Sequence, residues 1–257
     1  MPNSNGIVSE NDLMQCELEL SIVLPAYNEA SRIEQCIKGV KHAVTALTSS
    51  YELVVVEDGS TDGTTSIVAA LSKTDPHLSL LHSAHRLGKG TAVKKGLGSA
   101  KGDVVVFMDV DLATSLESLP IIVKSTRESQ GLVIGSRHVK GSKVCRSFTR
   151  TASSLTYNLL VRLIFHDGVH DHQCGFKAMN RQVATFLRDN SKSNGFFLDT
   201  EMILLCKSHG ISVTEVAVSW IEIKKKNSHG VRIFRDSAKL GFDLLRFRLA
   251  NYPQDQT

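Results

Sequence analysis

The sequence predicts an α/β protein: a mainly parallel sheet flanked by helices, followed by an amphipathic helix near the C-terminus. Two observations carry this reading. Short apolar, β-branched runs recur with helical patterns between them, and polar clusters follow the runs rather than interrupting them. A third bounds it, since 257 residues that are 42% hydrophobic and 22% charged suit a water-soluble chain with one core.

The first strand is read over 18–24 (LELSIVL), running into PAYNEA. Ile33, Cys36, Ile37, Val40, Val44 and Leu47 then share one helical face. A second strand, ELVVVE (52–57), closes on EDGSTDGT, where Asp62 is placed to cap a helix beginning near Thr64. The third strand is LSLLH (78–82). After it, HRLGKGTAVKKGL (85–97) puts Gly88, Lys89 and Gly90 at a helix entrance, where backbone donors and a cation can meet phosphate. The spacing is not that of a Walker A loop, and Lys94 and Lys95 read as a solvated face. DVVVFM (103–108) is the fourth strand and ends in DVDLAT; Ser118 before Leu119-Pro120 reads as a helix cap. GLVIG (131–135) is the fifth. Beyond 140 come a helix over about 146–165, the turn-rich DGVHDHQCGF, a helix containing FLDTEMILLC, and a late strand over 212–220.

Ligands of open α/β sheets bind beyond the carboxyl ends of the strands. PAYNEA, EDGSTDGT and DVD all fall at that edge. Asp109 and Asp111 can hold a divalent cation there, with Mg²⁺ or Mn²⁺ suited to oxygen ligands and to bridging a diphosphate. Alone, a D-x-D more often just closes a strand; its company reverses the balance. Asp58 can accept hydrogen bonds from a base or ribose, and capping is a sufficient account of Asp62.

The remaining composition excludes several classes. A net charge of +4 is too small to argue for nucleic acid, yet it suits an anionic substrate or membrane surface. Five cysteines at irregular positions read as free thiols in a reducing compartment. No run reaches the roughly 18–20 apolar residues of a membrane span, and the start lacks a secretory pattern. A cytoplasmic protein is expected, peripheral on the cytosolic face of a membrane. His170, His172 and Cys174 in HDHQC alternate on a loop without a four-ligand zinc arrangement. Asp199 and Glu201 stand on an otherwise apolar helix, either with Asp199 facing an active site or as exposed acids favoured by the helix dipole.

The order SIVLPAYNEA, VVVEDGSTDGT, RLGKGTAVKKGL, FMDVDLAT, VIGSR, DHQCGFKAM, FLDTEMI and EVAVSW resembles family-two inverting glycosyltransferases of the GT-A fold over about residues 18–223. Within them it looks most like dolichyl-phosphate β-glucosyltransferases and polyprenyl-phosphate sugar transferases. Mannosyl-transferring cousins typically carry Gln where this chain has Ala113, which favours glucose from UDP-glucose over mannose from GDP-mannose. The resemblance implies a nucleotide-binding half before about 135 and an acceptor half after it. It implies that Pro25, Ala26, Tyr27, Glu29, Asp58, Lys89 and Asp109 line the nucleotide sugar, and that Asp109 and Asp111 hold the metal. Arg137 and Arg150, with Asp171 and Gln173 nearby, would receive the phosphate of a polyprenyl or dolichyl acceptor; Arg suits this because its fork pairs with two phosphate oxygens. Asp111, Asp199 and Arg137 would act in catalysis. Arg146 is the weakest arginine candidate. A transferase acting on a glycan or protein hydroxyl, and a non-catalytic nucleotide-sugar-binding protein, remain as alternatives.

Three segments result: a flexible lead-in (1–17), the catalytic domain (18–228), and a basic amphipathic helix with its tail (229–257). In the last, Arg232, Arg235, Lys239, Asp243 and Arg246 share one face and Ile233, Phe234, Leu240, Leu244, Leu245 and Phe247 the other. Such a helix can lie in a membrane interface, dock on its own core, or dock on a partner's membrane domain.

Overall fold

The computed structural model describes residues 18–223 and 233–251, with side chains of the last helix from Leu240 to Ala250. The expected lead-in over 1–17, residues 229–232 and the tail beyond 251 lie outside them.

The expected βα alternation is present. Strands β1 (Leu20–Ala26), β2 (Tyr51–Asp58), β3 (Leu78–Ser83), β4 (Val104–Met108) and β5 (Leu132–Ser136) are connected by helices α1 (Ile33–Thr45), α2 (Thr64–Ser72), α3 (Lys89–Ser99) and α4 (Leu119–Ser129). Buried on both faces, β1, β2 and β4 need continuous apolar runs, which is why they were readable. The α1 stripe is buried at Ile33, Cys36, Ile37, Val40 and Val44, with Leu47 packed beside it. Ser118 does not cap α4. A short 3₁₀ turn precedes the helix, and Ser115 accepts the Glu117 amide there.

The second half adds β6 (Lys143–Cys145), α5 (Phe148–Phe165), β7 (Phe176–Asn180), α6 (Arg181–Asn190), α7 (Leu198–Ser208), β8 (Val213–Ala217), β9 (Ser219–Ile221) and α8 (Ile233–Asn251). The seven strands of the main sheet run in the order β3-β2-β1-β4-β7-β5-β8, and β6 pairs β9 separately. Strand β7 is antiparallel to both neighbours, with Phe107 opposite Lys177 and Lys177 opposite Ile134. The two halves of the chain therefore share one sheet. The late run over 212–220 is two strands, because the backbone changes partner at Val218: β8 pairs β5, then β9 pairs β6. That switch carries Trp220 off the main sheet.

Alternate strand residues feed two cores. One lies under α1, α2 and α4, the other under α3, α5, α6, α7 and α8. Helix α8 docks through Leu244 and Phe247, whose ring meets Phe165 and Phe197 at 6.0 and 6.1 Å. Leu245, on the expected apolar face, is exposed with Phe242 and Leu249, so only part of that face docks. Cys36, Cys145, Cys174 and Cys206 are free thiols.

Candidate active site

The three polar clusters meet at the carboxyl edge, since β1, β2 and β4 are adjacent and parallel. Asp58 is buried and accepts one backbone amide on each oxygen, Leu87 at 2.7 Å and Gly88 at 2.9 Å. It thus holds the glycine loop that opens α3. Gly88 has φ +101°, and a Cβ there would lie 2.3 Å from the Asn194 carbonyl oxygen. The N-cap of α2 is Gly63 rather than Asp62; from the position before it, Asp62 accepts the Thr64 amide at 3.1 Å, and its other oxygen accepts the Ala30 amide at 3.0 Å, tying the first loop to the second. Glu29 pairs with Arg32 at 3.0 Å. Pro25 and Ala26 end β1, and the Tyr27 ring beyond them stacks under Arg86, 4.0 Å away. Lys94 is less solvated than expected, donating to the Ser191 carbonyl and to Asn194.

At the end of β4, Asp109 meets Lys89, whose Nζ lies 2.8 Å from Asp109 Oδ1 and 3.2 Å from Asp199 Oδ2. The other Asp199 oxygen is 3.0 Å from Nζ of Lys177, which is fully buried and also donates to the Cys174 carbonyl at 2.6 Å. Burial opposes ionisation of Asp199, yet Lys177 and Lys89 hold its carboxyl below the usual range. Desolvation pushes the Asp109 carboxyl upward and Lys89 pulls it down, while Asp199 and Asp111 add to the upward push. Asp199 and Glu201 are both buried, so the exposed-acid reading of this pair is overturned. Glu201 accepts the Lys192 and Ser193 amides at 2.9 and 2.8 Å and shapes the loop against Gly88 and Gly90.

Gly175 makes room for the acids. Its carbonyl accepts the Asp109 amide at 3.2 Å, and a Cβ on it would lie 2.1 Å from Asp109 Oδ2. A small pocket opens here, lined by Asp109, Asp111, Ala113, Thr114, Gly175 and Trp220. Asp111 accepts the Ala113 amide at 3.1 Å. The donor set fits a hard divalent cation. Among the described residues no group of three or more His, Cys, Asp or Glu could hold a metal by itself. Asp109 and Asp111 would supply two carboxylates, with water and a diphosphate completing the sphere.

Trp220 links this pocket to the arginines. Its ring carries the Arg137 guanidinium at 5.5 Å and that of Arg146 at 5.9 Å. Arg137 is committed to Asp171, its Nε to Oδ2 at 2.7 Å and its Nη2 to Oδ1 at 2.8 Å. Burial works against the charge of both partners, and their mutual attraction outweighs it, lowering Asp171 and raising Arg137. The Gln173 backbone N–H donates to the same Asp171 at 3.3 Å. Arg146 differs: its Nε reaches Thr151 Oγ1 at 3.1 Å, while its Nη2 is buried without a hydrogen-bond partner. Burial, then repulsion from Arg137, depresses its pKa. An anion would relieve both. Arg150 lies half-exposed against Glu222 at 3.2 Å. His170 bonds Glu215, and His172 bonds Asp167 and Asn158.

Lys177, Gly175, Trp220 and Arg86 join this cluster without having been expected there, and a buried unpartnered nitrogen sets Arg146 apart from Arg150. Trp220 is the single tryptophan of the chain and ends the run EVAVSW, which marks it in the sequence.

Residues 21–187 match the glycosyl transferase family 2 model. Glycosyltransferase AglD of Haloferax volcanii is 36% identical over 232 residues, covering 89% of this chain and 37% of that protein. Dolichyl-phosphate beta-glucosyltransferase ALG5C of Trichomonas vaginalis is 31% identical over 219 residues, covering 80% and 65%. The chain thus spans between about a third and two thirds of these relatives' length. Glucosyl-3-phosphoglycerate synthase from Mycobacterium tuberculosis, solved with Mn²⁺, UDP and glucosyl-3-phosphoglycerate, superposes with a TM-score of 0.66 at 21% identity, covering 91% of this chain and 79% of that one.

Proposed function

The chain belongs to glycosyl transferase family 2 and has the GT-A fold, and from that premise we propose that it transfers glucose, with inversion, from UDP-glucose to a polyprenyl or dolichyl phosphate. One observation carries the reading. Trp220 forms a wall of the pocket that holds Asp109 and Asp111 and also carries Arg137 and Arg146, so a cation-binding acid pair and an anion-seeking arginine pair flank one aromatic wall. The dolichyl-phosphate beta-glucosyltransferase relatives and Ala113 favour glucose and a lipid phosphate. Asp109 and Asp111 would hold Mg²⁺ or Mn²⁺, which the Mn²⁺ and UDP of the synthase structure support; when bound, the cation neutralises charge growing on the departing diphosphate.

Within this reading the protein aligns reactants and stabilises the leaving group. A phosphate monoester has a second pKa near ~6, so at neutral pH it attacks as a dianion without a strong base. Arg146 Nη2 offers the buried donor that meets that phosphate, and Arg137, steadied by Asp171, adds its charge. Asp58, accepting the Leu87 and Gly88 amides, sets the loop on the nucleotide side. A hydroxyl acceptor would instead need a base, and Asp199, engaged by a lysine on each oxygen, is poorly disposed to serve.

A peripheral position on the cytosolic face of a membrane is part of the proposal. Phe148, Leu155, Leu159 and Leu163 are exposed along α5, and Phe242, Leu245 and Leu249 along α8, helices that touch through Phe165 and Phe247. Apolar surface on this scale, beside basic side chains, suits a lipid interface. No described helix is long and apolar enough to cross a membrane.

The test is a screen of UDP-glucose and GDP-mannose against a short polyprenyl phosphate, with and without Mn²⁺. UDP release that needs both lipid phosphate and metal is expected; no release with any pair would refute the proposal.

A further inference from the structure

The alternating series Asp109, Lys89, Asp199, Lys177 raises a question that binding roles alone do not answer: why a lysine sits on the oxygen a metal would take. Lys177 is fixed, fully buried at the centre of the sheet with Asp199 and the Cys174 carbonyl as partners. Asp199 is fixed by it. Lys89 is the movable member, partly exposed at 18%, on a flexible stem at the first turn of α3. Of the two Asp109 oxygens, Oδ2 fills the space that a Cβ on Gly175 would take, and Oδ1 is the one that Lys89 Nζ meets at 2.8 Å.

We propose that Lys89 is a resident counter-cation for Asp109, which yields Asp109 Oδ1 to the metal only when a nucleotide diphosphate arrives. This rests on the reading of Asp109 as a metal ligand. A divalent ion binds carboxylate oxygen at roughly 2.0–2.2 Å for metals of this size, and an ammonium bonded to the same oxygen would stand a few ångströms from it, where like charges repel. Metal binding therefore requires Lys89 to withdraw. Asp199 Oδ2, already at 3.2 Å, is the partner it keeps, and the incoming diphosphate supplies the second. Without diphosphate, the metal must break the Lys89 pair with nothing to replace it. Metal and nucleotide binding are thus coupled through one side chain, and Asp199 is a positioning residue that holds Lys89 between its two stations.

The test is Mn²⁺ binding by the full chain, followed by electron paramagnetic resonance with and without UDP and needing no lipid or turnover. Wild type is expected to bind Mn²⁺ at least about tenfold more tightly with UDP than without. Lys89→Met is expected to bind it more tightly than wild type in the absence of UDP, with the UDP enhancement reduced to what the diphosphate oxygens themselves contribute as ligands. Equal rises in Mn²⁺ affinity with and without UDP would make Lys89 a mere background charge and overturn the proposal, as would an unchanged enhancement. Absence of Mn²⁺ binding by either protein even with UDP would overturn it through its metal premise. Loss of lipid-dependent turnover with the binding pattern intact would count against the acceptor reading alone.

Discussion

Gly175→Ala isolates the geometry of the acid pair from its charge. Gly175 is outside the left-handed region, so alanine meets no backbone penalty. The added methyl would lie 2.1 Å from Asp109 Oδ2 and 2.6 Å from its Cγ. Ordinary non-bonded separation between heavy atoms is about 3.5–4 Å, so the carboxylate must retreat by more than about 1 Å. Asp109 is half-buried at the pocket rim and can swing, so the strain on the fold stays within the roughly 1–3 kcal/mol of overpacking. A misplacement of about 1 Å at a reacting centre can cost on the order of 10²-fold in rate. The expected result is a fall of roughly that size in kcat/KM for UDP-glucose with weakened Mn²⁺ affinity, and a melting temperature lowered by only a few degrees. Steady-state kinetics, Mn²⁺ titration and thermal melting on one preparation decide it. Wild-type turnover and Mn²⁺ affinity in the alanine variant would refute the placement of Asp109 at the reaction centre.

Two further predictions test the arginine side and the loop beneath it. Arg146→Ala should raise KM for polyprenyl phosphate by about 10- to 100-fold, the value of a charge-assisted hydrogen bond of roughly 1.5–3 kcal/mol, while Arg150→Ala, losing an exposed pair worth about 0–1 kcal/mol, should change it less than about fivefold; the reverse ranking in acceptor kinetics would relocate the phosphate. Burial tends to raise the Asp167 carboxyl, but its bond to His172 holds it below its ordinary value. A depressed carboxyl stabilises the fold above its unfolded pKa of about 4 and loses that contribution as pH falls through the lower folded value. Denaturant melts of Asp167→Asn should therefore show a shallower loss of stability than wild type as pH falls below about 4, and parallel curves would refute the pairing.

What could be read from the sequence depended on whether a residue's partner was local. Strands β1, β2 and β4 announce themselves because burial on both faces demands uninterrupted apolar runs, and the loops after them carry their own turn residues. Strand β7, FKAMN, does not, because Lys177 in its middle looks like a surface residue until Asp199, supplied by α7, neutralises it. Trp220 was visible as a motif end, but its role depends on a change of strand partner at Val218, which no local pattern records. The sequence placed Arg137 ahead of Arg146, and only tertiary contacts show that the first is already held by Asp171 while the second has a buried unpartnered nitrogen.

The same principle sorts the acids, which sequence alone could not rank. Asp58 gives each oxygen to a backbone amide, Asp171 gives both to Arg137, and Asp199 gives one to each of two lysines. In all three the protein itself neutralises or solvates the buried carboxylate, as burial of a charge requires. Asp109 and Asp111 are only half-buried, their contacts being a movable lysine and amides of their own loop. A carboxylate that the fold satisfies completely holds the fold, whereas one that it satisfies provisionally keeps its oxygens for an exchangeable cation. By that criterion the D-x-D stands apart from Asp58, Asp171 and Asp199, and Lys89 marks where the proposed exchange would take place.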